Sequence, residues 1–205
     1  MTAIFCLWRG DLAIELKNSM FVHIPKTGGT WAVQMITQAV IGYKTIGDPV
    51  YDGHASPDTA KEHVFAFIRE PATFARSLWH QRAKVKNNNR GHKWNWQEYL
   101  RLESECKSED YDAFLENCAN CENGVAEYYD HYIGKYPNII VGKQENLADD
   151  MIKILDQCGE DYNKPYIIEH ANQIVRPGNV NTMEPDIRRR INEANNNFSQ
   201  QHGYI

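Results

Sequence analysis

The chain has 205 residues, is 42% hydrophobic and 24% charged, and carries a net charge of −5 with a pI near 5.9. These values suit a single globular domain, residues 1–205, with one hydrophobic core, and they set aside global disorder. They also argue against general binding to nucleic acid or to an anionic membrane, so any anion site must be local.

The N-terminal residues 1–18 have a short apolar start that Arg9 and Asp11 soon interrupt, with no basic leader, so no signal peptide is expected. No stretch approaches the roughly 18 apolar residues that a membrane span requires, and a cytoplasmic protein is the expectation. Ser19–Ile24 is an apolar run ending at Pro25, the pattern of a buried strand. From Gly29 to Ile41, apolar residues recur at helical spacing. His63–Ile68 predicts a second buried strand, followed by a charged turn and a proline, and Ala72–Val85 predicts a helix. Asn138–Gly142 is a third strand, Glu145–Gly159 an amphipathic helix with a glycine stop, and Pro185 opens a terminal helix. Short strands alternating with helices predict an α/β fold with a central, mostly parallel sheet flanked by helices. Ligands of such sheets sit beyond the C-terminal strand ends, where both proline-bearing turns would lie.

The first of these turns lies in "FVHIPKTGGTW", Phe21–Trp31. Glycines let the backbone approach an anion closely. A helix N-terminus offers unpaired N–H groups and about half a positive charge, and Lys26 adds a full one. The order G-x-x-x-x-G-K-[ST] of the nucleoside-triphosphatase loop is missing, because Lys26 precedes Gly28 and Gly29, and magnesium loses its usual hydroxyl ligand. The pattern points to an anion site without a metal; a tight strand–helix turn with an exposed lysine is the plainer alternative. The second turn is "FIREPATFARSLWH", with Arg69 at a strand end and Ser77 eight residues on, in the next helix. An arginine fork and a hydroxyl suit a terminal phosphate. The alternative is a surface Arg69–Glu70 pair, with Ser77 on an exposed helix face.

Together the two turns resemble the sulfotransferases that use 3′-phosphoadenosine 5′-phosphosulfate, in particular their carbohydrate and membrane-type branch. "HIPKTGGTW" is similar to that family's 5′-phosphosulfate loop, and "REPATFARSLW" to its 3′-phosphate motif, in matching order and separation. "GHASPDTAKE", "VGKQENL" and the terminal "FSQQHGYI" resemble further family segments more loosely. The match covers about residues 19–85 and 138–155 as a cofactor-binding core; 86–137 would be a variable, acceptor-side region. The resemblance implies the nucleotide-kinase-like sulfotransferase architecture and in-line sulfuryl transfer to an acceptor hydroxyl or amine. The product would be adenosine 3′,5′-bisphosphate, and no metal would be needed. It implies that Lys26 contacts the bridging oxygen between sulfate and 5′-phosphate. Thr27, Gly28, Gly29, Thr30 and Trp31 would line the 5′-phosphate, and Arg69 and Ser77 would hold the 3′-phosphate. Arg176, in "IVRPGNV", is a further candidate contact, although the family has Arg-Lys-Gly there.

A general base is worth about 10²–10⁴ in rate. The resemblance points to His54, at the start of "HASPDTAKE", and an imidazole suits neutral pH; capping the helix that begins near Ser56 is its structural alternative. Glu62 is the next candidate, and His23 is a strand-end residue suited to structure or to orienting substrate. From Pro71 to Gln97 there is no acid, while Arg76, Arg82, Lys84, Lys86, Arg90 and Lys93 all occur, with Trp94 and Trp96 beside them. Lys84, Lys86, Arg90 and Trp94 therefore become candidates for an acceptor site favouring an anionic substrate such as a carbohydrate, against the alternative of a solvated basic helix end. Five cysteines at irregular spacing imply no disulfide framework, and the lone "CANC" reads as ordinary thiols. Two rival functions stay open: a nucleotide or sugar kinase with an irregular phosphate loop, and a non-catalytic anion-binding module.

Overall fold

The computed structural model describes residues 13–46, 61–84, 100–171 and 182–205. Along the chain these form β1 (Ala13–Glu15), β2 (Ser19–Val22), α1 (Gly29–Ala39), β3 (Lys44–Ile46), β4 (His63–Ile68), α2 (Pro71–Lys84), α3 (Arg101–Glu105), α4 (Tyr111–Asn120), α5 (Gly124–Ile133), β5 (Ile140–Lys143), α6 (Leu147–Gln157), α7 (Lys164–His170), α8 (Pro185–Ala194) and α9 (Asn196–Gln201). The fold is α/β, with a mostly parallel open sheet flanked by helices. The strands lie in the order β3-β1-β2-β4-β5. β2, β4 and β5 pair in parallel, whereas β1 runs antiparallel to both β2 and β3. Four of the five strands thus share one direction.

The chain groups into two compact units, one of residues Met1–Ile68 with Tyr136–Val175 and one of Arg69–Lys135 with Arg176–Ile205. The first contains the whole sheet together with α1, α6 and α7. Alternation along the strands sends Ile14, Phe21, Phe65 and Phe67 to one face, where they form a core with Met35 and Ile36 of α1, Leu147, Met151 and Leu155 of α6, and Ile167 of α7. The intervening Met20, Val22, Ala66 and Ile68 are buried too, the mark of strands covered on both faces. At the β1–β2 turn, one Glu160 oxygen accepts from Asn18 N (2.9 Å) and Ser19 Oγ (2.7 Å).

The second unit is helical. α8 packs on α2 and α4, and α5 packs on α2 and α3. Its interior is built from Phe74 and Leu78 of α2, Phe114 of α4, Tyr128 and Tyr129 of α5, and Ile191 of α8, all buried.

The expected strands and helices of the sheet region are present, with small shifts at their ends. Helix α1 stops at Ala39 rather than Ile41, because Val40 turns extended and bridges to Tyr162, and Gly42 follows at φ +80°. The residues before α6 form a 3-10 turn, Gln144–Asn146. Among the described residues no helix is long and apolar enough to cross a membrane.

Candidate functional site

β2 ends at Val22, and the chain reaches α1 through His23, Ile24 and a turn at Pro25–Gly28. Two residues of that turn are left-handed: Lys26 at φ +69° and Gly28 at φ +88°. For glycine this costs nothing, whereas a lysine there carries local strain on the order of 1–3 kcal/mol. Thr27 is buried, and its hydroxyl donates to Ile24 O at 2.8 Å, closing the turn on itself. The expectation that Thr27 meets a ligand therefore does not extend to its side chain, which shapes the loop.

Helix α1 starts at Gly29, has no side-chain cap at its N-terminus and has no acid in its first turn. Its leading N–H groups lack intrahelical acceptors and sit at the positive end of the helix dipole. Thr30 is exposed. Trp31 faces inward, with Nε1 donating to His170 O at 3.0 Å, so only its backbone belongs to the helix end. A Cβ on Gly28 would lie 2.7 Å from Leu147 Cδ2, and one on Gly29 would fall on Cδ2 and Nε2 of His23. The His23 imidazole thus packs closely against the start of α1. Burial, helped by the nearby Lys26 ammonium, lowers its pKa from 6.5 to about 4, so the ring is neutral at physiological pH. Leu147 and Gln144, from the "VGKQENL" segment, flank the glycine of the loop.

β2 and β4 are parallel neighbours with Val22 opposite Ala66, so Val22 and Ile68 close the same end of the sheet. Arg69 follows Ile68 directly. Its backbone N–H donates to Tyr129 Oη (3.1 Å), and the same hydroxyl donates to Arg69 O (2.9 Å). Its Nε donates to Thr73 Oγ1 at 3.1 Å, and Thr73 Oγ1 donates to Glu70 O at 3.1 Å. Thr73 and Ser77 are one helical turn apart and partly exposed, whereas Ala72, Phe74, Ala75 and Leu78 are buried. Thr73 and Ser77 therefore share one face of α2, and Arg69, just before the helix, bonds to that face through Thr73.

Glu70 faces inward rather than to the surface. Its carboxylate is buried and takes Arg188 through Nε (2.7 Å) and Nη2 (2.9 Å), with Asn192 Nδ2 at 2.9 Å. Asn192 Oδ1 in turn accepts from Ala72 N at 3.1 Å.

Glu62 is set apart from the first turn. It is exposed and precedes β4, level with the β1–β2 turn, whereas Pro25–Gly28 lies beyond the opposite end of the neighbouring strand. A six-residue strand spans about 20 Å, too far for a shared reaction centre. The basic segment is divided as well, because Arg82 is committed to an ion pair with the buried Glu103. His54, Lys86, Arg90, Trp94 and Arg176 lie outside the described residues, as does the side chain of Lys84. Cys118 and Cys121 of "CANC" are buried thiols at the end of α4, beside Cys106. Among the described residues no group of three or more His, Cys, Asp or Glu is arranged to hold a metal ion.

Thr73, Tyr129, Arg188 and Asn192 escape sequence reasoning. Thr73 alone leaves a trace there, midway between Arg69 and Ser77 at four-residue spacing; the others arrive from helices distant in sequence. Compared with protein-family models, curated proteins and solved structures, the chain matches none.

Proposed function

We propose that the chain is a sulfotransferase with the nucleotide-kinase-like architecture of those enzymes. It would move the sulfuryl group of 3′-phosphoadenosine 5′-phosphosulfate to an acceptor hydroxyl, carbohydrates being the first acceptor class to try. The observation that carries this reading is Lys26: a cation in a strained left-handed conformation, between a strand end and an uncapped helix N-terminus. Strain of this kind clusters where a site is preorganised. The residues fit the donor: the loop is cationic, its glycines permit close approach, and Arg69 and Ser77 stand at the next strand end and on the following helix.

In the proposed step the acceptor oxygen bonds to sulfur as the bond from sulfur to the bridging oxygen breaks. The electron pair goes to the bridging oxygen, where Lys26 stabilises the growing charge; donors so placed are worth about 2.7–4 kcal/mol. The acceptor proton goes to His54. His23 is a poorer base, since a pKa of about 4 leaves little affinity for the proton at neutral pH, and its close packing against Gly29 suits orientation instead. Arg69 and Ser77 hold the 3′-phosphate.

The test is a thermal-shift series in EDTA with adenosine 3′,5′-bisphosphate and with 5′-AMP, plus ATP with magnesium in an EDTA-free well. A ligand at a hundredfold its Kd adds about 2.7 kcal/mol, or roughly 5–11 °C for a chain of this size. The bisphosphate alone is expected to shift the transition, and Arg69→Ala to abolish the shift. A response only to ATP with magnesium would instead indicate the kinase reading. Turnover is then checked with labelled donor on carbohydrate acceptors. Binding without turnover on any acceptor class, with His54→Ala silent, would leave an anion-binding module.

A further inference from the structure

We infer that Tyr129 is the positioning residue for Arg69, and that through it α5 sets the protein's preference for a nucleotide carrying a 3′-phosphate; this rests on the sulfotransferase reading above. β4 ends at Ile68, which is the last residue of the ladder to β5. The backbone groups of Arg69 therefore leave the sheet, and both need partners. A single hydroxyl serves both: Tyr129 Oη accepts from Arg69 N and donates to Arg69 O. A phenol has one proton to donate, so this pair of bonds also fixes the rotation of the hydroxyl.

The clamp is rigid because its ring is. Tyr129 is buried, stacks on Phe198 at 5.0 Å and 24°, and meets Phe74 edge-on at 5.0 Å. The residue after Arg69 is held equally firmly, by Arg188 and Asn192 on the Glu70 carboxylate. With its backbone fixed on both sides, Arg69 also reaches α2 through its side chain, Nε donating to Thr73 Oγ1. That bond ties the guanidinium to the face of α2 that also carries Ser77. Bidentate recognition of phosphate depends on the guanidinium plane, because the fork is rigid. Tyr129 touches the backbone of Arg69 and so acts on a ligand only through it.

Titration calorimetry on the wild type, Tyr129→Phe, Arg69→Ala and the double variant, with adenosine 3′,5′-bisphosphate and with 5′-AMP, tests this. Tyr129→Phe keeps the ring and removes the hydroxyl. It is expected to weaken the bisphosphate about tenfold, the effect of misaligning one charge-assisted bond, while 5′-AMP stays within about twofold. In the Arg69→Ala background the same change should have no further effect. Equal weakening of both nucleotides, or an undiminished effect without Arg69, would mean a merely structural tyrosine and overturn the inference. An unchanged Tyr129→Phe beside a selective wild type would overturn it too and leave the donor reading standing. A wild type with no preference for the bisphosphate would overturn both. Should Tyr129→Phe not fold, Thr73→Val removes the Nε acceptor instead and is expected to show the same selective loss; equal affinity for the bisphosphate in that variant would count against the inference.

Discussion

Lys26 holds a left-handed conformation that its own side chain disfavours. Lys26→Gly is therefore expected to raise the stability in urea unfolding by up to about 1 kcal/mol, by relieving left-handed strain, while abolishing binding of the bisphosphate. A loss of stability would show that contacts of the Lys26 side chain outweigh the strain. His23 provides a second prediction at this scale. Its folded pKa of about 4 lies below the ordinary 6.5. As the pH falls through 6.5 the unfolded chain takes up a proton that the folded ring refuses. Stability is thus fully present above about 6.5 and falls until about 4, by about 3 kcal/mol. Comparing urea midpoints of the wild type and His23→Asn across that window should show a slope that the variant lacks. Parallel curves would remove the argument that the ring is dehydrated. Both residues stand out in the sequence beside the glycine turn, yet the lowered pKa of His23 follows only from its burial and the Lys26 ammonium near it.

At the scale of elements, helix ends are completed by residues from elsewhere in the chain. α5 begins after Asn123, itself left-handed and without a side-chain cap bond. Its first N–H groups are met by Asn195, whose Oδ1 accepts from Val125 N at 3.0 Å and Ala126 N at 3.2 Å. Asn195 is fully buried, and its Nδ2 is held by Ile191 O at 2.9 Å. Asn195→Ala should cost about 2–3 kcal/mol in chemical denaturation, the combined effect of a lost cap and buried donors left unmet. A cost below about 0.5 kcal/mol would mean that water replaces the amide. The legible elements, β2, α1, β4, α2 and α6, combine a strong apolar period with a nearby proline or glycine. β1 and β3 are only three residues each, too short to show alternation. α4 and α5 bury one face each, with Phe114, Leu115 and Cys118 on the first and Val125, Tyr128, Tyr129 and Tyr132 on the second. They lie inside the region of weakest resemblance, however, where sequence reasoning passed over their boundaries at Asp110 and Asn123.

At the scale of the whole molecule, the four described cysteines are free and buried. Three of the thiols resist ionisation. A hydrogen bond with Cys118 raises the pKa of Cys106, a hydrogen bond with Cys106 raises that of Cys121, and burial raises that of Cys158. Since the thiolate is the reactive form, native protein at pH 8 should show at most one fast thiol, from Cys6, which lies outside the described residues. All five should react once the chain is unfolded. Two or more fast thiols in native protein would contradict this burial.

The sequence by itself determined the α/β class, the strands that run in parallel, and the two turns where a cation or arginine meets a strand end. Those are local properties: apolar period, glycine and proline placement, and charge next to them. Tertiary structure decided which of the nominated groups stand together. It closed the Thr27 hydroxyl into its own turn and set Glu62 at the far end of β4. It also turned Glu70 inward to Arg188 and Asn192, and brought the Tyr129 hydroxyl onto the backbone of Arg69. The Glu70 and Tyr129 contacts depend on partners far away in the chain, and the Thr27 bond on the backbone conformation of its turn. Spacing along a sequence encodes neither, because contacts between distant segments arise only when the helices and sheet have packed.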